Sequence, residues 1–145
     1  MLQFLADEET TLSIGSGLTV LENQYGKLFT AGTAQIELEL LTPEAMQTIN
    51  QQYRTINEPT DVLSFPVYTS MQELPVDISF LLGSILICPA KAAAYEEPLL
   101  DLVHHGFLHL IGYDHETDRH GWDAMEMKLL SSLVATELHI SPAPH

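Results

Sequence analysis

Leu18, Leu21, Tyr25, Leu28 and Phe29 recur at spacings of three and four, which predicts a helix over residues 16–30 with all five on its core side. Residues 34–40 read AQIELEL, a strict alternation that turns Ile36, Leu38 and Leu40 inward and Gln35, Glu37 and Glu39 to water, as in a half-buried strand. Thr42 and Pro43 then supply an N-cap and a first helical residue, and the helix they open runs to about Arg54. After a turn at Glu58-Pro59-Thr60, the apolar residues Val62, Leu63 and Phe65 before Pro66 suit a strand near a sheet edge. Residues 69–79 read as a loop. The segment GSILIC has no polar alternation after Ser84, so it is expected to be a strand covered on both faces. Pro98 can start a helix that continues through LLDLVHHGFLHLI to Gly112, a natural C-cap. A last helix from Asp118 carries Trp122, Met125, Leu129, Leu130, Leu133 and Val134 at helical spacing, as core residues. The order of elements predicts an α+β fold, a small mixed sheet of about four strands packed with helices.

The 145 residues contain no repeat and no Gly-, Ser- or Pro-rich linker, so a single domain over 1–145 is expected. No apolar run approaches the ~18 residues of a membrane span. The opening MLQFLADEETT lacks the basic start and apolar stretch of an export signal, and the single cysteine, Cys88, sits in an apolar run as a small buried hydrophobe. A reducing cytoplasm is the expected location. Twenty Asp and Glu against five Lys and Arg give a formal charge of −15. Only Lys27, Arg54, Lys91, Arg119 and Lys128 can neutralise phosphates, so broad electrostatic binding of duplex DNA is not expected. Phosphate chemistry on such a chain has to be local and cation-assisted.

Five of the seven histidines, His104, His105, His109, His115 and His120, fall between residues 104 and 120. His105 and His109 are four apart on a predicted helix, so their imidazoles share one face, a turn apart, where they can grip one metal ion. Gly112 ends the helix and frees the chain to bring His115 toward the same ion. Three nitrogen ligands with an open fourth position describe a catalytic zinc, one per chain, at the end of a core helix. His104, His120 and His139 read as core or surface residues. The spacing matches the H-E-x-x-H-x-x-G-x-x-H zinc peptidases, but Gly106 stands where those enzymes carry their general base. Peptidase chemistry therefore recedes to an alternative. Asp114, Glu116 and Asp118 are candidates for orienting the histidines.

The stretch from His105 to His115, HGFLHLIGYDH, resembles the signature of the YbeY family of bacterial endoribonucleases. Arg54 followed by PTDVLSFP at 59–66 resembles that family's second marker, and GSILIC its glycine-led buried strand, with Ser84 where the family often has an acid. The resemblance covers roughly residues 34–130. It implies a zinc-dependent, single-strand-specific endoribonuclease of the cytoplasm, acting in 16S ribosomal RNA 3′-end maturation and ribosome quality control. It carries the metal ligands onto His105, His109 and His115, and a functional arginine onto Arg54. Arg54, His105 and His109 are then the catalytic candidates. A planar guanidinium can hold two phosphate oxygens, whereas an ion pair with Glu58 or Asp61 would make Arg54 merely structural. Thr60, Asp61 and Ser64 are expected to fix their loop through local bonds to backbone. The expected substrate is single-stranded ribosomal RNA, and the acidic surface suits small-subunit ribosomal proteins or an assembly GTPase. Two other readings stay open: an acidic ribosome-assembly factor with a mainly structural zinc, and a zinc hydrolase of peptides or small molecules.

Overall fold

A computed structural model describes residues 1–29 and 32–112. His115, the acidic residues after Gly112, His120, His139 and the helix expected from Asp118 lie outside the described residues. The chain opens with strand β1 (Leu2–Leu5) and helix α1 (Glu8–Ile14). Neither is foreshadowed by periodicity, because four and seven residues are too short for a repeat to declare itself. Helix α2 (Gly17–Tyr25) continues into a 3-10 turn, Gly26–Phe29, then come β2 (Thr33–Leu40), α3 (Pro43–Arg54), β3 (Val62–Pro66), β4 (Ser79–Ile87), α4 (Pro89–Ala94) and α5 (Leu99–Leu110). The sheet order is β1-β2-β4-β3, with β3 antiparallel to β4 and the other pairs parallel. This is a mixed four-stranded sheet with helices, an α+β fold, and β3 is the edge strand its sequence predicts.

Two expectations need correction. Leu28 is 44% exposed rather than in the core, because the tighter 3-10 turn rotates it away while Leu18, Leu21, Tyr25 and Phe29 stay buried. The second correction is to the loop at 69–79, which contains a 3-10 turn and gives way at Ser79 to a strand of nine residues. The early half of β4 escapes a pattern reading because of a bulge. Leu81 stands opposite Gln35 and Gly83 opposite Ile36, so Leu82 has no partner of its own. Phe80 and Leu82 are buried before that point and Gly83, Ile85 and Ile87 after it, so the inward parity switches mid-strand.

The main core joins Leu18, Leu21 and Tyr25 of α2 and Leu102, Val103 and Phe107 of α5 to Ile36, Leu38, Ile85 and Ile87 of the sheet. On the other side Met46 of α3 packs with Leu63, Phe65, Leu86 and the buried Cys88. β4 is therefore covered on both faces at its C-terminal end, as the GSILIC segment predicts. Glu37 and Glu39 of β2 point to water. α3 and α5 thus approach edge strand β3 from opposite sides of the sheet.

Candidate active site

α5 starts just after Pro98, which sits at the N-cap position without a side-chain capping bond, and is held by apolar positions that face the sheet. Its buried residues include Leu102, Val103, Gly106, Phe107 and Leu110, which leaves His105 and His109 half-buried on the remaining face. Their ring centroids are 5.0 Å apart with planes at 63°, one helical turn from each other. Gly106 is turned inward, close against Ile85 of β4. A glutamate there would push its carboxylate into an apolar contact, so this helix has no room for the peptidase base. Gly112, at φ 93°, takes the left-handed conformation that ends such a helix and redirects the chain.

His104 belongs to the core, as expected. Its Nε2 lies 2.7 Å from the Tyr25 hydroxyl, and the two rings stack at 5.6 Å. Burial, with a smaller push from His105, lowers its pKa to about 4, which keeps the imidazole neutral. Tyr25 is the partner that sequence reasoning missed; its helical spacing marked it as core but not as a hydrogen-bonding group.

Arg54 reaches the same region from the other side of the sheet. It is the last residue of α3, which Thr42 caps through a bond from the Ala45 N–H, and Thr55 closes the helix in the left-handed conformation at φ 55°. The turn that follows is pinned by Asn50, whose amide donates to the Glu58 carbonyl at 2.8 Å. A cleft of about 410 Å³ is lined by Arg54, Thr60, Asp61, Val62, Leu63, Ser64, His105 and His109. The structure thus brings together Arg54, His105 and His109. Arg54 is exposed and makes no ion pair among the described residues, so the structural alternative with Glu58 or Asp61 is not the one adopted.

Asp61 does fix its loop: its Oδ1 accepts the Val62 N–H at 2.8 Å and the Thr60 hydroxyl at 3.3 Å. Ser64 lines the cleft beside them. Glu97, just before α5, shares a hydrogen bond with Asp61. Burial first, then that bond and the charges of Asp61 and Asp101, raise its pKa to about 7. No sequence signal pairs Glu97 with Asp61, since 36 positions separate them.

The donor chemistry suits a metal such as zinc: two imidazoles on one helix face, open to a cleft that also holds a guanidinium. Among the described residues no three His, Cys, Asp or Glu side chains converge as a ligand set. The third histidine of the expected set is His115.

The family model described as "Endoribonuclease YbeY" matches residues 17–138. The chain is 44% identical over 104 residues to a protein named endoribonuclease YbeY from a Nitratiruptor species, a stretch covering 66% of this chain and 67% of the relative. It is 38% identical over 120 residues to the protein of that name from a Sulfurovum species, covering 77% and 78%. A solution structure of a Thermotoga maritima protein superposes over the full length of both chains with a TM-score of 0.60 at 22% identity, a likeness of fold.

Proposed function

The chain belongs to the YbeY family of endoribonucleases, and from that premise we propose that it hydrolyses single-stranded ribosomal RNA at the His105–His109–Arg54 cleft. Its role is in ribosomal RNA processing, at the 3′ end of 16S RNA and in ribosome quality control, in the cytoplasm. The observation that supports this reading best is the meeting, across an edge strand, of two imidazoles one helical turn apart and a guanidinium with no ion-pair partner among the described residues. Among the described residues no helix is long and apolar enough to cross a membrane.

His105 and His109, with His115, would hold one zinc ion through neutral ring nitrogens. A zinc ion so held supplies a nucleophile at neutral pH and positive charge beside the phosphate. The protein's own residues do the rest. Arg54 presents two parallel N–H donors to the non-bridging oxygens and stabilises the charge that grows on them. Tyr25 and His104 pack behind the metal-facing side of α5 and hold the helix, and so both imidazoles, in place. Asp61 and Thr60 hold the start of β3 as the cleft's other wall. The acidic surface, with its −15 charge, suits basic ribosomal proteins or an assembly GTPase as the partners that deliver the strand.

Incubating zinc-loaded wild type and His109→Ala with single-stranded and duplex ribosomal RNA fragments tests this function. Cleavage of the single strand by wild type alone is expected. Equal cleavage by the variant, or none by either protein, would refute the assignment.

A further inference from the structure

Tyr53 is 68% exposed, unusual for a tyrosine that the fold also holds in place. Its ring meets the ring of Phe65 edge-on, with centroids 5.2 Å apart and planes at 66°. Phe65 is half-buried in the small core under α3, so the contact anchors one side of Tyr53 and leaves the rest to solvent. Each of the two residues in this contact is next in sequence to one that lines the cleft: Tyr53 to Arg54, and Phe65 to Ser64. An exposed aromatic ring, held on one side, is thus one residue removed from the cleft on the Arg54 side.

The charge of the chain gives that ring a task. Of the three cations among the described residues, Lys27, Arg54 and Lys91, only Arg54 lines the cleft. With five Lys and Arg in the whole chain, few phosphates can be neutralised and counterion release contributes little to holding an RNA strand. Base-on-aromatic stacking needs no cation and is available to every base, so it adds affinity that phosphate contacts on so acidic a chain supply only sparingly. We propose that Tyr53 is a stacking platform for one unpaired nucleobase next to the phosphate held by Arg54, which makes it a determinant of single-strand specificity. A base inside a duplex has both faces covered by its neighbours and cannot use the ring, whereas an unpaired base can. The inference rests on the endoribonuclease reading above and adds the residue that selects the substrate's strandedness.

The test uses zinc-loaded full-length wild type, Tyr53→Phe and Tyr53→Ala. The substrates are a single-stranded ribosomal RNA fragment and the same fragment with an abasic nucleotide placed in turn on each side of the cut. Tyr53→Ala should raise KM about tenfold with little change in kcat, the loss of one stacked base, while Tyr53→Phe stays near wild type. The salt dependence of KM should be unchanged, because no phosphate contact is lost. With wild type, one abasic position should raise KM by the same factor, and on that substrate Tyr53→Ala should cost nothing more. That arm needs only the wild-type protein, so a folding defect in the variant does not obscure it. The platform is overturned if no abasic position raises KM, or if the two losses multiply on the abasic substrate. Wild type that cuts none of these RNAs overturns the endoribonuclease reading and the platform with it.

Discussion

Gly106 of α5 and Ile85 of β4 touch so closely that a β-carbon on the glycine would lie 3.0–3.1 Å from three side-chain carbons of the isoleucine. This contact seats the histidine helix on the sheet, and it explains why the residue after His105 carries no side chain. Gly106→Ala gains helix propensity of about 1 kcal/mol but overpacks the contact by about 1–3 kcal/mol, for a net loss of about 1 kcal/mol. Gly106→Glu, which would recreate the peptidase motif, also buries a charge and should lose more than about 3 kcal/mol without gaining peptidase activity. Urea unfolding midpoints of the two variants, with a casein hydrolysis assay on the second, check this.

Arg54→Ala should lower kcat for RNA cleavage by about 10²–10³, the cost of removing one preorganised donor to developing charge. Zinc content and unfolding midpoint should stay at wild-type values, because Arg54 is exposed and makes no ion pair among the described residues. Arg54→Lys should recover only part of the loss, since an ammonium cannot offer two parallel donors. Single-turnover cleavage rates distinguish these outcomes.

Much of this was legible in the sequence, for reasons that differ by residue. The alternation of residues 34–40 survives in β2 because one face of that strand is buried and the other wet. His105 and His109 could be paired because helical spacing fixes their common face wherever the helix lies. Arg54 is different: nothing local places the end of α3 beside α5. Only the antiparallel edge strand between them does so, and the resemblance pointed there before the geometry did. The parity switch at Leu82 was hidden because a bulge breaks the period that a pattern reading depends on. Asn50 was equally hidden, being a buried polar residue whose partner, the Glu58 carbonyl, belongs to backbone. Nothing in the sequence marks Gly83 as a point of close approach, yet a β-carbon there would fall 2.6 Å from the Phe65 carbonyl oxygen. Close approach of strands is a property of the assembled sheet.

Thr55 holds a left-handed conformation, φ 55° and ψ 24°, which costs a β-branched residue about 1–2 kcal/mol. Glycine removes that cost, but its freer unfolded chain offsets part of the gain. Thr55→Gly should therefore stabilise the protein by about 0.5–1 kcal/mol, visible as a higher urea midpoint with an unchanged slope.

Glu97 titrates at about 7 in the folded protein against 4.5 for an ordinary glutamate, because burial and the neighbouring Asp61 and Asp101 favour its protonated form. The folded state therefore holds the extra proton between those values, and stability contributed by protonated Glu97 is complete below pH 4.5 and lost as pH rises through 7. Glu97→Gln, permanently neutral, should unfold at a higher temperature than wild type above pH 7, and the two should converge below pH 4.5. Thermal unfolding across that range reads the difference.

The central claim is that His105 and His109 hold the metal on which RNA cleavage depends, and it is tested most directly by titrating zinc into metal-stripped protein while following cleavage of a single-stranded ribosomal RNA fragment. Wild-type activity should start near zero and saturate at one equivalent of zinc per chain, while His109→Ala, folded by circular dichroism, should stay inactive throughout. Full activity in stripped wild type, or a zinc response in His109→Ala equal to that of wild type, would contradict it.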